Sequence, residues 1–487
     1  MTTSPAGLSR KSLGTAGLVF LSIAASAPMT VLAGGVIATF AATGVIGVPL
    51  SFLILTPPLL LVIVGLVVLG RDVPHAAGFY AFLARGISPT AGVAGASVAL
   101  ISYNALQIGL YGLFGATAAS TIGGPWWLWA LAGWGVVALL GVRHIELNTR
   151  VIATVLAVEI TIIIMFIVAA LDHAADPATT YAPLLPHSLL TDGVGGVFAL
   201  SVAAFVGFEC VVVYGEEVTS PRSVRRAALG VVAFLGLFYA LASWAITVVV
   251  GSSHVVDAAR DPAAGLPFSV LSEYFGPVVG STGVAMLLLS ILSAMISFHN
   301  VVARYVFGLA REGVLPFRLA ATGGAIGGVP IGGSITQSVT AGLVIAAFAV
   351  SGADPVAVMF TMLTTIAAVG VLALLASSSL SVILYYYHRT PGQRPPQRQW
   401  LIAPLLGFVF LVVILAVTVS NIGTVTGDPE NQVLPWLLPG LILIAAAVGA
   451  IWAQVLRYSR PATWMTIGRG SPRPLAVLDM ALSHLGL

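Results

Sequence analysis

The chain has 487 residues, of which 58% are hydrophobic and 8% charged, with a mean hydropathy of +1.04 and a formal charge of +3. A soluble domain carries about 25% charged residues, so this composition is that of a lipid-embedded chain, and its small net charge leaves no footprint for nucleic acid. A lone cysteine, Cys210, excludes an intramolecular disulfide framework. Phosphate-loop, HExxH and paired-cysteine patterns are absent, and no cofactor or metal centre is expected.

Apolar stretches of spanning length recur at 13–40, 46–70, 89–119, 125–142, 149–171 and 194–215, and again at 226–251, 279–308, 334–350, 355–387, 401–421 and 435–456. Lipid offers the backbone no hydrogen-bond partners, so each of the twelve should be helical. Alternating the loops puts 19 of the 20 Lys and Arg on one side, leaving only Arg260 on the other with acids such as Asp172, Asp257, Glu273 and Asp428. By the positive-inside rule the basic side is cytoplasmic, which predicts a multi-pass cell-membrane protein with both termini inside. Arg10-Lys11, an apolar run and Ala25-Ser26-Ala27 together look like a signal peptide and its cleavage site. The run continues to Phe40, however, and its loss would leave eleven spans, so it is expected to remain as the first.

Two spans carry breakers. The first holds Ala25-Ser26-Ala27-Pro28, where proline removes a ladder donor and clashes with the preceding turn. The sixth holds Gly207 followed by Glu209: glycine frees the backbone dihedrals, and a carboxyl at the bilayer centre costs about 2.5–3.5 kcal/mol on insertion scales. Two interrupted apolar segments at matching places in two halves of a chain point to a transporter binding site.

Four local patterns carry a family resemblance. They are Phe205-Val206-Gly207-Phe208-Glu209, its continuation Glu216-Glu217-Val218-Thr219-Ser220-Pro221-Arg222, the loop Pro74-His75-Ala76-Ala77-Gly78-Phe79-Tyr80, and Arg304 with Ala310-Arg311-Glu312-Gly313-Val314-Leu315-Pro316. The chain resembles an amino-acid permease of the amino acid–polyamine–organocation superfamily. The resemblance implies an all-α integral membrane fold of twelve transmembrane helices in a 5+5 inverted repeat (the LeuT-like arrangement), with discontinuous first and sixth helices. It places the first repeat at 13–171, the second at 194–388 and two peripheral helices at 399–457, flanked by tails at 1–12 and 458–487.

The resemblance also implies unwound centres at Ser26, Ala27 and Pro28 and at Phe205, Val206 and Gly207, where freed N–H groups can hold a carboxylate and freed carbonyls an ammonium, with Phe208 a further substrate-binding candidate. The plainer alternative is that Pro28 kinks a helix and Gly207 allows close packing. Tyr103, Asn104 and Gln107 form a polar patch in the third span that should face the pocket, as could Asn300 from the eighth and Thr361, Thr364 and Thr365 from the tenth. Proton coupling is assigned to Glu209, with Glu159 in the fifth span and His299 in the eighth as further candidates; His titrates near physiological pH. Each has a structural alternative as a hydrogen-bonded helix contact. Ser293 and Ser297 could offer hydroxyls to sodium or simply aid helix packing. Several family members place a lysine in the fifth helix in lieu of sodium; here the one lysine is Lys11, which leaves the ion open.

The expected function is import of amino acids or related small amines by alternating access, with protons, or alternatively sodium, as the coupling ion, or else exchange. A channel would show filter repeats or charge rings, and an enzyme would need a denser set of intramembrane ionisable groups.

Overall fold

The computed structural model describes residues 15–142, 145–209, 221–261, 265–323, 329–423 and 433–470. Apart from an isolated bridge between Gly323 and Val329, their regular structure is helical. Helix α1 (Thr15–Ser26) leads through a single turn, Pro28–Thr30, and a π-helical turn, Val31–Val36, into α2 (Ile37–Thr43). Then follow α3 (Val48–Asp72), the short α4 (Gly78–Gly86), α5 (Pro89–Ile122), α6 (Trp126–Gly141), α7 (Ile145–Asp172) and α8 (Val194–Phe205). After these come α9 (Pro221–Val250), α10 (Pro277–Arg311), α11 (Ile331–Ser351) and α12 (Thr361–Tyr387), the last entered through a π-helical turn, Pro355–Phe360. The described chain closes with α13 (Ala403–Ser420), α14 (Leu434–Ser459) and α15 (Pro461–Thr466).

Ten described helical stretches are long and apolar enough to cross a membrane, and two shorter apolar helices, α6 and α8, accompany them. Their residues divide by neighbour rather than by helical stripe, as a lipid environment requires. Leu343, Val350, Leu443 and Val448 project from α11 and α14 with more than half of their surface open, a distribution that water would penalise and acyl chains accept.

Helix α5 lies at the centre of the bundle, packed against α4, α6, α10, α12 and α14. Small residues let it do so: a Cβ on Gly112 would lie 2.4 Å from the Pro355 carbonyl oxygen, and one on Gly115 2.4 Å from that of Trp126. Apolar side chains gain little from one another in lipid that they lack in acyl chains, so close backbone approach supplies the packing energy.

Candidate functional site

The first break is at Ala27, whose φ of 43° is the left-handed region and is the one positive value at a non-glycine residue among those described. Pro28 has no N–H to give, so the Ala27 N–H doubles back to the Ile23 and Ala24 carbonyls, both at 3.1 Å. The next two N–H groups leave the helix altogether. Met29 donates to Glu159 Oε2 at 3.4 Å and Thr30 to Ser290 Oγ at 3.3 Å, while the Ser290 hydroxyl donates to the same Glu159 oxygen at 2.9 Å. Helices α7 and α10 therefore hold the re-entry of the first helix through two side chains. The bonds that would have closed on the Ala25 and Ser26 carbonyls are not made; Ser26 instead accepts from the Tyr239 hydroxyl at 2.9 Å.

The second break follows α8. Gly207 has φ +119°, and its N–H donates to Glu209 Oε2 at 2.9 Å, while Tyr103 of α5 donates its hydroxyl to Oε1 at 2.8 Å. Glu209 is 2% exposed and Glu159 equally so. Each break is thus tied by a buried carboxyl that takes up a backbone N–H which the helix has released, which is how such groups avoid the cost of being left unpaired. The two breaks also touch: a Cβ on Gly207 would sit 3.0 Å from Ala25 Cβ and 3.2 Å from the Ser26 nitrogen.

Between the breaks lies a cavity of about 50 Å³. The first helix contributes Ala25, Ser26, Ala27, Thr30, Val31 and Gly35 to its wall, and the sixth span Leu200, Ala203, Ala204 and Val206. Leu106 and Leu110 from α5, Ala294 and Phe298 from α10, and Phe360 and Thr364 at the start of the α12 span complete it. Its wall contains no ionisable side chain.

Of the residues expected from sequence to bind substrate, Ser26, Ala27 and Val206 line this space, while Pro28, Phe205, Gly207 and Phe208 sit behind the wall. Phe205 packs on Phe52 and Tyr239, at ring separations of 5.9 and 6.1 Å. The third-span patch does not form a wall. Tyr103 serves Glu209 and stacks on Phe298 at 6.2 Å, Asn104 turns its amide to the Leu100 carbonyl, and Gln107 joins Tyr111, Met295 and Gln337. Asn300 is half-buried and outside the lining; Thr361 and Thr365 are buried and also outside it, whereas Thr364 is part of it.

The coupling candidates also separate. Glu159 and Glu209 each hold a break, but His299 points to Ser334 Oγ at 2.7 Å, pressed against Gly141 in α6. Ser297 donates to the Ser293 carbonyl within its own helix, and the serine that reaches the first break is Ser290, one turn earlier. Ser290 belongs to the serine series 290, 293, 297, a spacing that already marked one helix face. Thr30, Ala294 and Phe298 carried no comparable signal, because they read as ordinary membrane-helix residues. Cys210 and the stretch Glu216–Ser220 lie outside the described residues.

A second buried polar cluster gathers three of the resemblance motifs' residues at one end of the bundle. Glu312, fully buried just past α10, accepts from His75 Nε2 at 3.0 Å, the Tyr80 hydroxyl at 2.5 Å, and the backbone N–H groups of Gly468 and Gly470 at 2.8 and 2.5 Å. Ala77 donates its N–H to His75 Nδ1 at 2.9 Å, so the other ring nitrogen carries the proton turned to Glu312. Burial pushes the Glu312 carboxyl up, but the hydrogen bonds from His75, Tyr80 and Gly468 outweigh it and hold the group below the usual carboxylate range. Burial beside this carboxylate pushes the Tyr80 phenol well up.

A bundle of apolar helices, two of them broken around one cavity, is the frame of a membrane-embedded protein. The sequence comparisons narrow that class. A family model described as amino acid permease matches residues 13–448, and the chain belongs to that family. Over 135 residues it is also 29% identical to a protein of Corynebacterium glutamicum named L-lysine transport protein. That match covers 27% of this chain and 25% of the relative, so the alignment spans about a quarter of each.

Proposed function

We propose that the protein is a secondary active transporter that imports amino acids across the cell membrane by alternating access, driven by protons. The observation that carries this is the pairing of two broken helices across one cavity, each break tied by a buried carboxyl. The freed carbonyl of Ala25 suits a substrate ammonium, and the broken backbone suits a zwitterionic head with few charged side chains nearby. The full topology, twelve spans in a 5+5 inverted repeat with both termini cytoplasmic, is supported by the ten long and two shorter apolar helices and by the split of basic residues.

Glu209 is the proposed proton carrier. A carboxyl whose hydration and hydrogen bonds change as the site opens to one side and then the other can bind and release one proton per cycle. Its bonds to Gly207 and Tyr103 link that change directly to the break. A second reading, with Glu159 as carrier, is favoured by one observation, its contact with Met29 and Ser290 at the first break.

Purified protein in sealed proteoliposomes separates them. Proton coupling by Glu209 predicts saturable uptake of amino acids in sodium-free buffer, faster uptake with an inward proton gradient, and loss of that response in Glu209→Gln. If Glu159→Gln alone loses the response, the second reading holds. A strict requirement for sodium would overturn both.

A further inference from the structure

The cavity wall holds two hydroxyls with no partner. Thr30 Oγ1 and Thr364 Oγ1 are buried polar atoms without a hydrogen bond, on residues 5% and 4% exposed. Such atoms are rare, since an unpaired buried hydroxyl carries a desolvation cost with no return. Three neighbouring hydroxyls bond backbone carbonyls of their own span: Ser26 donates to Ser22, Thr361 to Val356 and Thr365 to Thr361. The other unpartnered hydroxyls among the described residues, those of Ser22, Ser378 and Thr418, lie outside the lining, whereas Thr30 and Thr364 belong to it, one from the first break and one from the α12 span.

Apart from Ser26, whose hydroxyl is bonded to Ser22, the other side chains of the wall are hydrocarbon. Leu106, Leu110, Leu200, Phe298 and Phe360 offer apolar surface, and Ala203, Ala204 and Ala294 offer little depth. Both nearby carboxyls are turned to other duties, Glu209 to Gly207 and Tyr103, and Glu159 to Met29 and Ser290. A substrate ammonium or guanidinium at the end of a long side chain would meet no carboxylate on this wall, and an unpaired charge buried in such surroundings is strongly disfavoured.

We infer that the cavity takes amino acids with compact, uncharged side chains, and that the hydroxyls of Thr30 and Thr364 are hydrogen-bonding contacts to the bound molecule. This rests on the permease reading above and narrows it. Thr30 stands beside the broken backbone and serves the zwitterionic head. Thr364, contributed by the α12 span, bonds the same molecule, while Leu106, Phe298 and Phe360 enclose the side chain. A cationic amino acid is excluded by the wall's chemistry, whatever the cargo of the Corynebacterium relative.

The test uses the full chain in proteoliposomes with radiolabelled alanine, serine, valine and leucine, and with lysine, arginine and glutamate as competitors. The expected result is saturable uptake of one or more of the neutral set, not competed by a hundredfold excess of the charged ones. Thr30→Val and Thr364→Val keep the shape and remove the hydroxyl. Each should weaken half-saturation for the neutral substrate about tenfold, the loss of one hydrogen bond, while the melting temperature of the empty protein in detergent stays level or rises. That opposition of signs separates a ligand contact from a structural one, whose removal would lower both. Saturable lysine uptake, or wild-type affinity in both valine variants, overturns the inference and leaves amino-acid transport standing. If the folded protein takes up no amino acid at all, the permease reading fails and this inference fails with it.

Discussion

Glu312→Gln is the perturbation whose consequence follows most directly from the structure. The carboxylate receives four donors: His75 Nε2, the Tyr80 hydroxyl, and the N–H groups of Gly468 and Gly470. An amide presents one oxygen and one NH2 group. With its NH2 group toward His75 and Gly470 the amide opposes two donors; turned the other way it faces the Gly468 N–H and the Tyr80 hydroxyl, which can rotate to accept from the amide and lies 3.2 Å from the Gly468 nitrogen. His75 cannot relieve the first orientation by shifting its proton, since its second nitrogen already accepts from Ala77. The second orientation leaves one buried donor short of its full bond, a cost of about 1–3 kcal/mol. The bundle need not unfold to avoid it. The segment after α14 can detach and give Gly468 and Gly470 to water, so the cost is capped at the free energy of docking.

Hydrogen exchange read by mass spectrometry over residues 461–470 is the appropriate assay, since it reports local opening. A loss of about 2 kcal/mol raises the open population about thirtyfold, and exchange there should accelerate by at least that factor while α5 and α10 stay protected. The pH dependence has a fixed sign. The folded carboxyl titrates below its ordinary value, so its contribution is complete above about pH 4.3 and is lost as pH falls through the lower folded value. After correction for intrinsic rates, wild-type exchange in this segment should be flat from neutrality to about pH 5 and rise only below the ordinary carboxylate range, and the Glu312→Gln profile should lack that step. Unchanged exchange in Glu312→Gln would refute the docking role assigned to this carboxylate.

Gly207→Val should abolish substrate uptake in a folded protein, because φ +119° is closed to a β-branched residue and the new Cβ would press on Ala25 and the Ser26 backbone; normal ligand binding by scintillation proximity would place the pocket elsewhere. Ser290→Ala removes the acceptor for Thr30 N–H and a donor to Glu159, and should lower stability by about 1–3 kcal/mol, measured as a lower melting temperature in detergent. Gly236→Ala puts a methyl 1.8 Å from Thr56 Oγ1 and 2.9 Å from its Cβ, wedging α9 off α3. A loss of about 1–3 kcal/mol is expected from overpacking, again read by thermal melting, and the double variant with Thr56→Ala should recover part of it.

The sequence by itself determined the lipid-embedded class, the apolar helices and the two places where helices break. Those properties are local: hydropathy over a span, proline without an N–H and glycine without a Cβ act on their own stretch of chain regardless of what packs there. The family patterns likewise sit in contiguous residues, at 205–209, 74–80 and 310–316. What each released backbone group does was decided by the tertiary structure alone. That Met29 turns to Glu159 and Thr30 to Ser290 joins positions 130 and 260 residues apart, a relation no window of sequence contains. The same distance explains the misplaced polar candidates. Asn104, Gln107, Ser297 and His299 are conspicuous by residue type, yet helix rotation and neighbours turn them to partners other than the cavity. Its wall is instead built from Ala, Leu and Phe, inconspicuous residues in a chain that is 58% hydrophobic. Only packing distinguishes an apolar side chain that faces lipid from one that faces an empty space, because the physical preference for leaving water is the same for both.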